Sequence, residues 1–402
     1  MGLPGTDEIQ TDARRRPLRV ISASEPTPGD RLVLGLDYGL QKLANESLAA
    51  FRGSAVAIDP RTGEILCLSS SPSYDSSLFL GGISHDEYAG LNDSPEMPLL
   101  NRAIAGTYAP GSTFKIVTAL AAELSGKFNA QSPIIFCNGG FRLGNHTYKC
   151  LGHHGSAPFN YAFAKSCNAY FMQLGLNAGP ENLWKACEQL GLMTKTGVDL
   201  RGELNGLIPT ADWKKKVFKD ASLQRWRKSD TVLVSIGQGA VSLTPIQMAN
   251  MMATVANRGT HYRPHLVRAV QRPGNASATL VEPEVLNRIQ VRPEFWDELH
   301  RACFSVVEMG TAVRAKVPGL AFGGKTGSAE NHRPGQQKKT HSWFVGFAPI
   351  DNPQIAIAVV AENAGHGSEV AAPVASRLIE YYLRTRVKSP AQAPDAKFTR
   401  KD

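Results

Sequence analysis

Ser342-Trp-Phe-Val-Gly-Phe-Ala348 and, after the turn Asp351-Asn-Pro353, Gln354-Ile-Ala-Ile-Ala-Val-Val-Ala361 decide the fold class of this 402-residue chain. Both runs carry strand-forming residues, and the short turn between them makes an antiparallel meander. Ile355, Ile357 and Val359 face one way, while Ala356, Ala358 and Val360 face the other. A strand apolar on both faces is covered on both sides. Upstream, Phe322-Gly-Gly-Lys-Thr-Gly-Ser-Ala-Glu330 reads as the strand beside this pair. Further out, Arg31–Leu36 and Ser54–Ser69 read as strands, with a helix over Tyr38–Phe51 between them. A mostly helical middle runs from Pro110 to Ala256, and a helix from Val370 to Leu383 ends the fold. The pattern predicts an α/β (α+β) domain: a mainly antiparallel sheet with helices on both faces, plus an all-helical lobe.

Chemistry enters at Gly106-Thr-Tyr-Ala-Pro-Gly-Ser-Thr-Phe-Lys115. Ile116, Val117, Leu120 and Leu124 follow at helical spacing among alanines, so the next stretch reads as a buried helix. Pro110 and Gly111 stop any earlier helix and leave Ser112 in the N-terminal turn. Residues i and i+3 share a face there, which brings the Lys115 amine within reach of the Ser112 hydroxyl. A serine is a weak nucleophile until a base takes its proton, and a helix start offers free N–H groups to an oxyanion. The pair alone is more often a solvated serine beside a snorkelling lysine. Two downstream motifs change that. Ser166-Cys167-Asn168 is the only Ser-x-Asn in the chain. Lys325-Thr326-Gly327 is followed by Ser328 and opens the strand-rich region. A second copy, Lys195-Thr196-Gly197, lies in Gly191-Leu-Met-Thr-Lys-Thr-Gly-Val-Asp-Leu200, which reads as a turn; the strand context favours Lys325. A strand with a free edge at that copy can hold a peptide by backbone pairing.

Ser-x-x-Lys, Ser-x-Asn and Lys-Thr-Gly in this order form the motif set of penicillin-binding proteins and class A β-lactamases. From Gly29 to Arg386 the chain resembles the class B penicillin-binding proteins, and most closely their elongation-type, penicillin-binding protein 2 group. The segments that carry the likeness include Ala55-Val-Ala-Ile-Asp-Pro-Arg-Thr-Gly-Glu-Ile65, Pro72-Ser-Tyr-Asp75, Ile236-Gly-Gln-Gly239 and Leu243-Thr-Pro-Ile-Gln-Met248. The resemblance implies the serine acyltransferase (penicillin-binding/β-lactamase-like) fold. It implies three regions: residues 1–28 as a remnant of a non-catalytic stalk and linker, 29–387 as the transpeptidase domain, and 388–402 as a disordered tail. In such relatives an N-terminal membrane helix anchors the protein at the periplasmic face of the inner membrane. No run here approaches the ~18 apolar residues such a helix needs, so the chain reads as a piece without anchor and most of the stalk.

The implied reaction is peptidoglycan D,D-transpeptidation during cell-wall elongation. Ser112 attacks the terminal D-Ala-D-Ala carbonyl and Lys115 serves as base. Ser166 relays the proton to the leaving amine, and Asn168 orients Lys115 or the substrate. Lys325, Thr326 and Ser328 suit the terminal carboxylate, and Gly327 lets the substrate backbone approach. The N–H groups of Ser112 and Ser328 form the oxyanion hole. A neutral Lys115 is required near pH 7, and burial plus a second ammonium from Lys325 both push that way. β-Lactams acylate Ser112 in this scheme, no cofactor joins the chemistry, and a membrane-embedded glycan polymerase and rod-shape scaffold proteins are the implied partners. A serine β-lactamase, a D,D-carboxypeptidase and a non-catalytic β-lactam receptor or polymerase scaffold are the competing readings. No glutamate stands out as the deacylating base that a β-lactamase needs.

Net charge is +9, and the densest basic stretch is Trp213-Lys-Lys-Lys-Val-Phe-Lys219 with Arg225, Trp226, Arg227 and Lys228. No nucleic-acid motif accompanies it, so a solvated face or a rim for an acidic glycan-lipid substrate is the favoured reading. Of six cysteines, Cys137, Cys150 and Cys167 crowd together in sequence with His153 and His154. Three readings stay open: a structural zinc site of Cys137, Cys150, His154 (or His153) and Cys167; a Cys137–Cys150 disulfide; or buried free thiols. His154 is preferred over His153 because His154-Gly155 matches a Gly-His-Gly segment of the resembled family. Cys67, Cys187 and Cys303 sit in apolar settings and read as core.

Overall fold

The computed structural model describes residues 2–330, 340–386 and 397–399. These residues form two compact units, one taking in residues up to 35, 266–282 and 397–399, the other 36–265 and the chain from 283 to 386.

The larger unit is built on a five-stranded sheet. Its strands are β1 (Gly53–Ile58), β2 (Ile65–Ser71), β5 (Gly323–Glu330), β6 (Thr340–Ala348) and β7 (Ile355–Ala361) in the order β5-β6-β7-β1-β2, antiparallel throughout. The strands omitted from that order, β3 (Phe136–Leu143) and β4 (His146–Ser156), form a separate hairpin. Every residue of β7 is fully buried, as two apolar faces require. Helix α4 (Pro245–Ala256) packs on β7, β1 and β6, and α6 (Ala371–Arg386) packs on β6 and β7, beside α1 (Tyr38–Leu48). The Ser54–Ser69 stretch folds as two strands around a turn at Asp59–Glu64, where Gly63 adopts φ +84°. Among the described residues the Lys-Thr-Gly strand β5 lies at the sheet edge and pairs only with β6, with Lys325 opposite Val345 and Gly327 opposite Trp343.

Helices α2 (Lys115–Leu124) and α3 (Asn168–Ala178) pack against each other in the helical lobe, and α5 (Pro293–Glu308) backs β5. All residues of α2 from Lys115 to Ala122 are buried, so this helix is core on every side. The middle of the chain is less helical than its sequence predicts. The β3–β4 hairpin turns on Gly144-Asn145, with Gly144 at φ +59°, a two-residue loop of the kind that selects a tight hairpin. Leu48 and Ala44 of α1 and Ile104 beside the first motif complete the apolar layers next to the sheet.

In the smaller unit, Thr6–Thr11 pairs with Pro17–Ser24, and Arg31–Leu34 pairs with Val267–Gln271. The strand expected at Arg31–Leu36 is therefore present but does not join the central sheet. Arg14, Arg15 and Arg16 lie in the turn of the first hairpin, where Asp12 accepts from the backbone N–H groups of Arg14 and Arg16. The tail expected to be disordered, 388–402, lies outside the described residues except for Lys397–Thr399, a strand parallel to Ser277–Thr279. Among the described residues, no helix is long and apolar enough to cross a membrane.

Candidate active site

Ser112 sits in a single 3-10 turn, Gly111–Phe114, that runs directly into α2. The turn is clamped by backbone on two sides. Gly111 N–H donates to Gly237 O at 3.0 Å. A Cβ on Gly237 would run into Gly111 O, and one on Gly111 would lie 2.8 Å from Ser328 O; both residues have positive φ. Only glycine meets both demands, which gives the Ile236-Gly-Gln-Gly239 segment its place beside the nucleophile.

Lys115 is fully buried. Its amine donates to Ser166 O at 2.7 Å, Ser166 Oγ at 3.1 Å and Asn168 Oδ1 at 2.7 Å. Ser166 presents both oxygens to one amine because its backbone adopts φ +57°, a left-handed conformation worth roughly 1–2 kcal/mol of strain for a non-glycine residue. Burial lowers the Lys115 pKa to about 7, partly offset by the negative charge of Cys150 and Cys167. Lys325 is also fully buried. Its pKa falls well below the ordinary value, through burial first and then the charge of Lys115. The repulsion expected between the two amines thus falls on Lys325. Two buried ammonium groups without a carboxylate between them would repel strongly, so burial and mutual repulsion disfavour charging both lysines at once. Among the described residues Lys325 donates to Thr326 O at 3.2 Å, lies 5.7 Å from the Phe163 ring and has no acidic partner.

Ser112, Ser166, Asn168, Thr326 and Ser328 line one cavity of about 430 Å³. The three motifs, far apart in sequence, therefore face one space, with the edge strand β5 along its wall. Gly327 also has a packing role within the fold. A Cβ there would lie 2.7 Å from Pro110 O and 3.0 Å from Thr113 Cγ2, so the close approach it permits is that of the nucleophile turn to β5. Residues not singled out in the sequence also line the cavity. Thr311 shares a hydrogen with Thr326 (Oγ1–Oγ1 2.5 Å), and His366 lies 3.3 Å from Ser328 Oγ through Nδ1. Gly310-Thr311 and Gly365-His-Gly367 carry no local signal; only the fold brings them here.

A buried ion network anchors the loop that carries the first motif. Arg102, fully buried, donates to Glu362 Oε1 at 2.9 Å, Met97 O at 3.0 Å and Glu96 O at 2.8 Å. Tyr108 OH donates to the same carboxylate oxygen at 2.8 Å. Glu362 follows β7 directly, so the sheet end is tied to Gly106–Pro110.

Behind the second motif, the β3–β4 hairpin and the start of α3 gather four donors. Cys137, Cys150 and Cys167 Sγ and His154 Nδ1 all lie within 4.8 Å of one another. His154 Nδ1 is 3.5 Å from both Cys137 and Cys150 Sγ, and Cys150 and Cys167 Sγ are 3.9 Å apart. His153 is exposed and packs over Gly139 instead. Asn168 N–H points at Cys150 Sγ (3.2 Å) and Tyr170 N–H at Cys167 Sγ (3.4 Å). The Cys150 thiol is held well below its ordinary pKa, by Cys167 first and then by backbone N–H groups. All six cysteines are free, so the Cys137–Cys150 disulfide is not formed. Cys67, Cys187 and Cys303 are fully buried, and burial raises each thiol.

The second Lys-Thr-Gly is occupied elsewhere: Glu203 accepts from Thr196 N–H and Oγ1 at 2.7 Å and from Gly197 N–H at 3.1 Å. In the basic stretch Lys214 is buried, paired with Asp230 at 2.6 Å and flanked by Phe218 and Trp226, which removes it from any charged rim.

Residues 53–380 match the penicillin binding protein transpeptidase domain family. The chain is 39% identical to the peptidoglycan D,D-transpeptidase MrdA of Acinetobacter baumannii, over 97% of its own length and 59% of that protein's. It spans about three-fifths of the length of the curated relatives it matches. Among solved structures, Pseudomonas aeruginosa PBP2 in complex with WCK 5153 is similar with a TM-score of 0.80 and 36% identity, covering 93% of this chain and 80% of that one. A chain of a peptidoglycan synthase complex coordinating polymerization and crosslinking also gives 0.80, at 31% identity, covering 98% of this chain and 69% of that one.

Proposed function

The chain belongs to the penicillin-binding protein transpeptidase family, and from that premise we propose that it cross-links peptidoglycan stem peptides through a Ser112 acyl-enzyme. The observation that carries this reading is the convergence of Ser112, Ser166, Asn168, Thr326 and Ser328 on one cavity over two buried lysines. Neutral Lys115 takes the Ser112 proton as Oγ bonds to the penultimate D-Ala carbonyl carbon. The C–N bond to the terminal D-Ala breaks, and the leaving amine gains a proton relayed through Ser166, which already accepts from Lys115. An amine of a second stem then attacks the ester carbonyl, loses its proton to Lys115, and releases Ser112 as the new peptide bond forms. The N–H groups of Ser112 and Ser328 are assigned to the oxyanion, where one donor is typically worth ~10²–10³ in rate. The β5 edge, free on its cavity side, suits pairing with the extended donor peptide.

Among the described residues, no aspartate or glutamate lines the cavity. A rapid β-lactamase needs a base for deacylating water, so this lining favours a long-lived acyl-enzyme. Product partition tests the reaction type. With a D-Ala-D-Ala-terminated donor and an amine acceptor, cross-linked product should exceed hydrolysed donor; hydrolysis alone would make the protein a carboxypeptidase. The substrate places the work at the periplasmic face of the inner membrane, with a membrane-embedded glycan polymerase as the partner, a reading supported by the likeness to a chain of a polymerizing and crosslinking complex.

The cysteine cluster is assigned to a structural zinc ion. Tetrahedral bonds of about 2.3 Å to sulfur and about 2.0 Å to nitrogen separate ligand atoms by roughly 3.8 Å (S···S) and 3.5 Å (S···N). The observed 3.9 and 3.5 Å fit those edges. Cys137, Cys150, His154 and Cys167 would hold it, and the ion would supply no chemistry to acyl transfer. Because Cys167 separates Ser166 from Asn168, the cluster would brace the two residues whose oxygens hold Lys115. Protein purified without chelator or metal resin should contain close to one zinc per chain, and Cys167→Ser should lose most of it along with thermal stability. A metal-free wild type of unchanged melting temperature would remove the assignment.

A further inference from the structure

We propose that His366 reads the substrate's terminal carboxylate by donating a proton through the Ser328 hydroxyl. The inference deepens the acyl-transfer reading above and rests on it. A carboxylate only accepts hydrogen bonds, and its binding site needs donors and positive charge. Both lysines lie buried beneath the cavity surface rather than on it. Among the described residues, the one titratable side chain lining the cavity is His366. Lys325 lies fully buried behind β5, where burial and the nearby Lys115 disfavour its charge.

Ser328 Oγ receives Gly367 N–H at 3.3 Å and lies 3.3 Å from His366 Nδ1. Its single hydrogen has two destinations. With Nδ1 bare, the hydroxyl hydrogen goes to the ring and none is left for a ligand. With a proton on Nδ1, the ring donates to Oγ and the hydroxyl hydrogen is free to meet the carboxylate. An imidazolium makes that arrangement and adds charge to the chain His366–Ser328–carboxylate, each bond polarising the next.

The backbone that carries the ring is tied down by three hydrogen bonds. Ser342 Oγ donates to His366 O at 2.9 Å, Thr340 Oγ1 donates to Gly365 O at 2.7 Å, and His366 N–H donates to Glu369 Oε2 at 2.9 Å. The partner of Thr326 is not titratable: Thr311 Oγ1 lies 2.5 Å from its hydroxyl, and either oxygen can donate.

The test compares benzylpenicillin with its methyl ester on protein carrying ¹⁵N-labelled histidine. At one pH, His366 should be imidazolium in the carboxylate adduct and neutral in the ester adduct. His366→Leu should lower the carboxylate-to-ester ratio of acylation rates about tenfold, and His366→Asn, which keeps an N–H donor near the Nδ1 position, should recover part of it. The same ring state in both adducts, or a His366→Leu variant that slows both ligands alike, overturns the proposal. A wild type that forms no adduct with either ligand instead overturns the acyl-transfer reading, and this inference with it.

Discussion

Lys115→Met acylates roughly 10²–10⁴-fold more slowly than the wild-type protein, the range a positioned general base supplies. The size follows from geometry. Lys115 lies three residues after Ser112 at the start of the same helix, and its three hydrogen bonds all go to Ser166 and Asn168. No hydrogen bond joins it to Ser112 among the described residues, an apo arrangement that tightens when substrate orders the hydroxyl. The sign of the pH dependence is fixed by the same burial. A lysine whose pKa is lowered to about 7 is an ammonium, and useless as a base, below that pH. Wild-type acylation should therefore rise as pH increases through 7 and level off above it, and Lys115→Met should lose the rise. A second-order acylation constant measured between pH 5.5 and 9 checks both, and a wild-type profile flat across pH 7 would remove Lys115 from the role of base.

The sheet was legible because β7 is apolar on both faces, a pattern that admits few alternatives to a strand covered on two sides. The catalytic motifs were legible for a similar reason: Ser112 and Lys115 lie one turn apart, and a single helix start places them. Long-range placement was not legible. Nothing local to Thr311 or His366 announces a cavity wall, and Arg102 reads as surface until the fold sets Glu362 against it. The hairpin of Phe136–Ser156 was missed although Gly144-Asn145 is a recognised tight-turn pair, because the apolar pattern of its strands is weak and half-exposed. Gly327 shows the limit from the other side. Its need for a missing Cβ was read, but not that the Pro110 carbonyl comes close there. Lys214 likewise left the basic stretch only once Asp230 and two aromatic rings enclosed it.

The claim that Ser112 is the acylated nucleophile has the most direct test and the largest expected effect. Ser112 lines the cavity, whereas its neighbours Thr113 and Phe114 are buried and Thr113 Oγ1 is spent on Pro110 O at 2.8 Å. Ser166 Oγ, the cavity hydroxyl that accepts from Lys115 at 3.1 Å, is assigned to proton relay rather than attack. An intact-mass time course with benzylpenicillin, on the wild type and on Ser112→Ala, reads the answer without an assay of turnover. The account predicts one drug mass added to the wild type, persisting for minutes or longer, and none added to Ser112→Ala. An adduct of equal yield in Ser112→Ala would contradict it outright, and a wild-type adduct that vanishes within seconds as free penicilloate accumulates would make the protein a β-lactamase instead.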